Sequence, residues 1–284
     1  MLALTLATLG GCSMLRLGYG QLDTIAVWTA DEYFDLEPQQ RHEFNTRFER
    51  LHEWHRYEQL PEYAAFLAEA KARLRRKLTR EDVNWFAQGL KARYRTIVRR
   101  GAPDAAALLA TITSEQLDAL QRRFDKDNRR FVREYRLEAG PEERKRARAR
   151  RALSQVRDWT GSLSYEQEQR VIAMANELPL IDHLRLEDRV RRQREFLELM
   201  KLRANRDAFV QRLTEWLLNW ERVRAPEYER ALDAWWAKRV DFFVSVDRLL
   251  TPHQRAAAAH RLQNYIEDFT RLAERPEGRT AAAR

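Results

Sequence analysis

The chain has 284 residues, 44% of them hydrophobic, which is enough apolar material for one large or two ordinary domains with a buried core. Lys and Arg number 52 against 43 Asp and Glu, a net charge of +9, and 9 Gly with 8 Pro leave little material for turns, so the balance favours long charged helices. A single cysteine excludes both an internal disulfide and a thiolate zinc cage, so neither a disulfide-stapled fold nor a zinc ribbon is available.

In chain order the first segment is Met1 to Leu9, uncharged and mostly apolar. It has the length of a signal-peptide core and falls far short of the roughly 20 residues a membrane-spanning helix needs. It runs into Leu9-Gly10-Gly11-Cys12-Ser13, where small side chains suit a peptidase cleft. This stretch resembles the bacterial lipobox. The resemblance implies a signal peptide over 1–11, cleavage before Cys12, acylation of that thiol, and, with Ser13 behind it, sorting to the outer membrane facing the periplasm. Each buried methylene of an acyl chain contributes about 0.8 kcal/mol, so a multiply acylated cysteine holds a protein stably at a bilayer. No Lys or Arg precedes the apolar run, a departure from the positive n-region of signal peptides that is expected where translation starts further upstream.

Beyond a connector over 12–35, helical periodicity dominates. Leu117, Leu120, Phe124, Phe131 and Tyr135 recur at steps of three, four and seven, as do Phe209, Leu213, Trp216, Trp220 and Val223. Leu232, Trp236, Val240 and Phe243 form a further stripe, and Leu262, Ile266 and Phe269 another. The expected fold is all-α, a multi-helix antiparallel bundle in which these stripes pack on one another.

The starts of the helices share one pattern. "LTPHQ" at Leu250 puts Thr251 at the N-cap, Pro252 at the first helical position and Gln254 where its amide reaches back to the cap. "LEPQQ" at Leu36, "ITSEQ" at Ile112 and "LSYEQ" at Leu163 repeat it, and "LTRED" at Leu78 has Asp82 in the place of glutamine. "WHRYEQLPEY" from Trp54 and "WERVRAPEY" from Trp220 echo each other as well. Two related helical halves are therefore expected, over 36–140 and 163–273, joined by a basic helical linker over 141–162 and followed by a disordered tail over 274–284; convergence on common helix grammar remains the alternative to duplication.

Two family resemblances attach to these residues. The lipobox with "RLGYGQLDTIAVWTADEYFDL" and "LHEWHRYEQLPEYAAFLAEA" resembles an uncharacterised family of proteobacterial lipoproteins, which implies no activity. The capping pattern resembles the LTxxQ signature of the Spy and CpxP periplasmic proteins, which implies a helical cradle with a chaperone or envelope-stress role.

Side chains that could carry chemistry are sparse. His52 and His55 lie three apart with Glu49 and Glu53 nearby, but no HExxH pattern supports a metal site, so they read as packed or solvated histidines. Asp182, Glu187 and Asp188 around His183 read as surface charge. No nucleophile elbow surrounds a serine and no glycine-rich phosphate loop is present, so neither catalytic residue, metal nor cofactor is expected. Arg144, Arg148 and Arg151 share one helical face and are the candidate contacts for an anionic ligand. Trp216, Trp220, Trp235 and Trp236 read mainly as core, with Trp235 or Trp236 turned elsewhere because adjacent helical residues face apart. The expected function is a lipid-anchored, non-catalytic periplasmic binding protein, chaperone-like or envelope-stress related, whose partners are the membrane and unfolded or envelope proteins, with no nucleic acid. The alternative is an envelope tether contacting anionic lipid or cell wall through its basic segment.

Overall fold

The computed structural model describes residues 10–275, and every regular element among them is helical. The protein is all-α. The expected signal peptide lies outside the described residues apart from Gly10 and Gly11, and the expected tail apart from Glu274 and Arg275. Among the described residues no helix is long and apolar enough to cross a membrane.

Two compact units divide the chain: one takes residues up to Glu32, Leu36–Arg76 and Ala258 onward, the other Tyr33–Asp35 and Lys77–Ala257. These boundaries cut across the sequence halves 36–140 and 163–273, each of which supplies helices to both units.

The first unit holds α1 (Gly10–Gly20), α2 (Leu22–Phe34) as far as Glu32, α3 (Pro38–Trp54), α4 (Leu60–Leu74) and α12 (Pro252–Ala273) from Ala258. Between α3 and α4 lies a π-helical turn, His55–Gln59. Its cause is Pro61, which has no N–H to give the carbonyl four residues back and whose ring crowds it, so the backbone widens and Leu60 N–H bonds to the His55 carbonyl instead. Leu60 and Phe66 of α4 and Leu262 and Leu272 of α12 are buried. Lys71 Nζ donates to Gln263 Oε1 at 2.6 Å and Arg56 Nε donates to the Leu272 carbonyl at 2.6 Å.

The second unit holds α5 (Arg80–Leu109), α6 (Ser114–Glu134), α7 (Pro141–Thr160), α8 (Tyr165–Asn176), α9 (Asp182–Met200), α10 (Arg206–Asn219), α11 (Pro226–Leu249) and the first turn of α12. Helix α5 packs on α10 and α11, α6 on α9, α7 on α8, and α11 also on α8 and α9. A core cluster joins Ala149, Ala152, Leu153 and Val156 of α7 to Val171 and Ala175 of α8, Leu178 just beyond it, and Phe242 and Val246 of α11. Each large aliphatic or aromatic side chain so buried contributes about 1.5–3 kcal/mol. The segment expected as a basic linker is thus part of the core. It is rich in arginine, but the small and branched residues at 149, 152, 153 and 156 form the stripe that docks it.

All five expected helix starts are present as reciprocal capping boxes. Gln40 Oε1 accepts from Glu37 N–H at 3.0 Å, Asp82 Oδ2 from Thr79 N–H at 2.9 Å, Gln116 Oε1 from Thr113 N–H at 2.9 Å, Gln167 Oε1 from Ser164 N–H at 2.9 Å and Gln254 Oε1 from Thr251 N–H at 2.9 Å. Three of these glutamines, Gln116, Gln167 and Gln254, also direct their amide protons to tertiary bonds. Gln116 Nε2 donates to the Asp35 carbonyl at 2.8 Å. Gln167 Nε2 donates to the Leu249 carbonyl and Gln254 Nε2 to the Ser162 carbonyl, both at 2.8 Å, while the two amides lie 2.9 Å from each other. The starts of α8 and α12 are therefore locked together symmetrically.

Two stripes end earlier than expected. Val223 is 61% exposed because α10 stops at Asn219, and Phe243 faces outward beneath Arg239 while Phe242, Val244 and Val246 take the core positions.

Candidate functional site

The second unit carries two arginine-rich sites, both built on the amphipathic helix α9 and its neighbours. The first is a groove of about 320 Å³. Tyr33 and Phe34 close one side, Leu120 and Phe124 of α6 and Phe196 of α9 supply apolar wall, and Trp216 of α10 supplies an indole face. Arg189, Arg192 and Gln193 of α9 bring the polar groups.

The walls of the groove are fixed by a connected hydrogen-bond network. Tyr33 hydroxyl donates to Asp127 Oδ2 at 2.6 Å, and burial, with the bond to Asp127, pushes the phenol above its ordinary range. Arg123 Nε lies 3.4 Å from the Asp127 carboxylate and its guanidinium 5.0 Å over the Tyr33 ring. Arg189 Nε donates to Asn128 Oδ1 at 2.9 Å, and Asn128 Nδ2 donates to Gln193 Oε1 at 2.8 Å. Arg192 is held differently. Its guanidinium stacks over Trp220 at 4.5 Å and Trp216 at 5.5 Å, and its buried Nε has no hydrogen-bond partner among the described residues. Burial pushes its pKa down from the ordinary arginine range. An aromatic floor with a cation stacked on it accepts apolar side chains and carboxylates together.

The second site surrounds α7. Of the expected anion contacts, Arg144 is buried at 8% exposure, Arg148 is half-buried and Arg151 is exposed. Arg148 donates to the Pro179 carbonyl at 3.0 Å and, at 3.4 Å, to that of Asn176. Burial lowers its pKa; Asp182 opposes this, and the positive charges of Arg151, Arg144 and Arg239 reinforce it. Arg151 and Arg185 both stack on Tyr135, at 5.4 and 5.9 Å, and Arg239 stacks on Phe243 at 4.6 Å. Helices α7, α9 and α11 thus bring five guanidinium groups to one region, and the three that sequence spacing grouped are joined there by Arg185 and Arg239.

One other expectation changes in part, and that of indoles facing apart holds. Asp188 is buried, with Arg191 Nη2 donating to it at 2.6 Å, and the half-buried Asp182 pairs with Arg185 at 3.6 Å, so these two are ion-pair partners, whereas Glu187 is exposed as expected. Trp236 gives its Nε1–H to Asn84 Oδ1 at 2.9 Å, while Trp235 lies 6.0 Å from the Arg185 guanidinium, so the two indoles serve different neighbours. In the first unit His55 lies between two phenols, with Tyr19 hydroxyl 2.9 Å from Nδ1 and Tyr63 hydroxyl 3.2 Å from Nε2, and the Tyr19 ring also contacts His52. No group of three His, Cys, Asp or Glu able to hold a metal occurs among the described residues. The backbone of Cys12 lies in α1, and its side chain is outside what is described.

Sequence reasoning missed Tyr33, Phe34, Arg189, Arg192 and Arg239. A signal existed for part of this: Arg185, Arg189, Arg192 and Phe196 follow at steps of four, three and four, one face of α9.

No curated protein and no solved structure matches the chain. A family model described as a family of unknown function, DUF6279, matches residues 32–229, which include every residue of the groove and the arginines of α7 and α9, and the protein belongs to that family.

Proposed function

We propose that this protein is a lipid-anchored, non-catalytic binding protein of the periplasm that captures apolar, acidic segments of unfolded or envelope proteins in the groove of α6, α9 and α10. The observation that carries the reading is the pairing inside one groove of aromatic walls with an arginine, Arg192, that has no ion-pair partner among the described residues. An aromatic wall retains exposed apolar side chains after contact, while the positive charge steers acidic segments toward it. The resemblance of the capping pattern to the LTxxQ signature of Spy and CpxP is consistent with that role. Attachment is supported by the lipobox-like stretch at Cys12 and by Leu17, Ile25 and Trp28, which stand 65%, 46% and 68% exposed on α1 and α2 shortly after it and suit an interfacial surface.

Two experiments test this reading. Cys12→Ala should move the protein out of the membrane fraction, and persistence there would refute the lipid anchor. The purified chain should slow aggregation of a reduced, acidic client, with Trp216→Ala and Arg192→Gln each weakening that effect severalfold; equal protection by wild type and both variants would remove the groove from the mechanism. The tethering alternative is favoured by a different observation, the exposure of Arg146, Arg150 and Arg151 on α7. Reversal of Arg150 and Arg151 to Glu should then abolish binding to anionic vesicles or cell wall while leaving client capture intact.

A further inference from the structure

The arginines of α7 and α11 present a problem of charge balance. Arg144 is nine-tenths buried, and its Nε and Nη2 lie out of contact with solvent with no hydrogen-bond partner among the described residues. Arg148 Nε is in the same state, although its terminal nitrogens reach main-chain carbonyls. Arg239 makes ring contacts with Phe242 and Phe243, and burial depresses its pKa. The nearby carboxylates are already engaged: Glu142 accepts from Lys145 at 2.8 Å, Glu143 from Arg136 at 2.6 Å, and Asp182 pairs with Arg185 at 3.6 Å. The charge of Asp182 acts on Arg148 against those of Arg151, Arg144 and Arg239.

Buried ions are ordinarily paired, and a guanidinium taken from water without an acceptor costs several kcal/mol. Such an arrangement is costly to the chain and becomes favourable when an anion with several acceptor oxygens enters. Arginine's planar fork suits a tetrahedral oxyanion through paired N–H donors, and an excess of several positive charges favours a dianion over a single carboxylate.

We propose that Arg144, Arg148, Arg151 and Arg239 form a binding site for a phosphate-type oxyanion, either free or as the headgroup of a phospholipid. Arg144 and Arg148 supply the inner donors, and Arg151, held on Tyr135, supplies an exposed one. The site is separate from the capture groove and independent of the compartment in which the protein resides.

The test is thermal unfolding of the full chain in rising inorganic phosphate, against chloride at matched ionic strength. A saturable rise is expected, about 5–10 °C at a hundredfold excess over Kd. Arg144→Met should weaken the phosphate response at least tenfold, and Arg170→Met, exposed on α8, should leave it unchanged. Arg239→Met provides a second probe should Arg144→Met fail to fold. Flotation with phosphatidylglycerol vesicles separates the sources. Binding that phosphate displaces and Arg144→Met abolishes assigns the site to a headgroup, whereas a phosphate response without such flotation assigns it to the free anion. An equal rise in chloride, or an undiminished phosphate response in both Arg144→Met and Arg239→Met, overturns the proposal.

Discussion

The cap junction of α8 and α12 and the arginine cluster of α7 and α11 both bury polar groups in the second unit, and they do so in opposite ways. At the junction, Gln167 and Gln254 each satisfy a cap N–H, a carbonyl of the neighbouring segment and one another. Nearby Asp247, 3% exposed, accepts from Leu78 N–H at 2.8 Å and is ion-paired by Arg255. In the cluster, Arg144 is buried to a similar degree with two guanidinium nitrogens unpaired among the described residues. A buried polar group whose partners are all present serves the fold, because losing either side strands the other. One whose partners are missing weakens the fold, and its presence points to something the chain binds.

The comparison can be broken most directly at the cap junction. Gln167→Met or Gln254→Met should each cost about 3 kcal/mol, since each strands a cap N–H, a carbonyl and the partner amide. The double variant should lose less than the sum because the amide pair is shared, which denaturant unfolding of the three variants will reveal. Additive losses would mean that the two boxes act separately.

The groove wall is an intermediate case. Asn128→Ala removes the acceptor of Arg189 and the donor to Gln193, so about 1–2 kcal/mol should be lost, with weaker client capture. Unchanged stability would show that the network is replaced by water.

In the first unit, His55 provides a smaller effect with a defined sign. Burial, and then the neighbouring His52, hold its pKa below the ordinary value of 6.5, and burial does the same for His52. The unfolded chain therefore takes up protons more readily, so stability is full above about pH 6.5 and falls as pH drops below it. Between pH 7.5 and 5.5 the wild type should lose more stability than His55→Gln; identical pH profiles would contradict the neutral, phenol-bonded histidine. The smallest effect is expected at the exposed pair Lys91–Glu221, where Glu221→Gln should change stability by less than about 1 kcal/mol.

The all-helical class and the helix starts were legible in the sequence because both are local. A cap needs a side chain three residues away, and a stripe needs a repeat of three and four, so Thr113 with Gln116 and Ser164 with Gln167 could be read directly. Tertiary use of the same residues was not legible: nothing near Gln254 in sequence points to Ser162. Helix α7 shows why charge misleads. Its arginines suggested a linker, yet in a helix a stripe of alanines suffices to dock one face, and Arg144 goes inward with it. Arg239 lacked any local mark, since it joins the cluster only through the packing of α11.

The most direct measurement compares Arg144→Met with Gln254→Met in phosphate-free buffer, each unfolded by denaturant beside the wild type. Gln254→Met should fall by about 3 kcal/mol, whereas Arg144→Met should match the wild type or exceed it by about 1 kcal/mol, because an unpaired buried cation gives way to an apolar side chain. A loss at Arg144 as large as that at Gln254 would contradict the reading, for it would mean that the guanidinium is already held by partners of the fold.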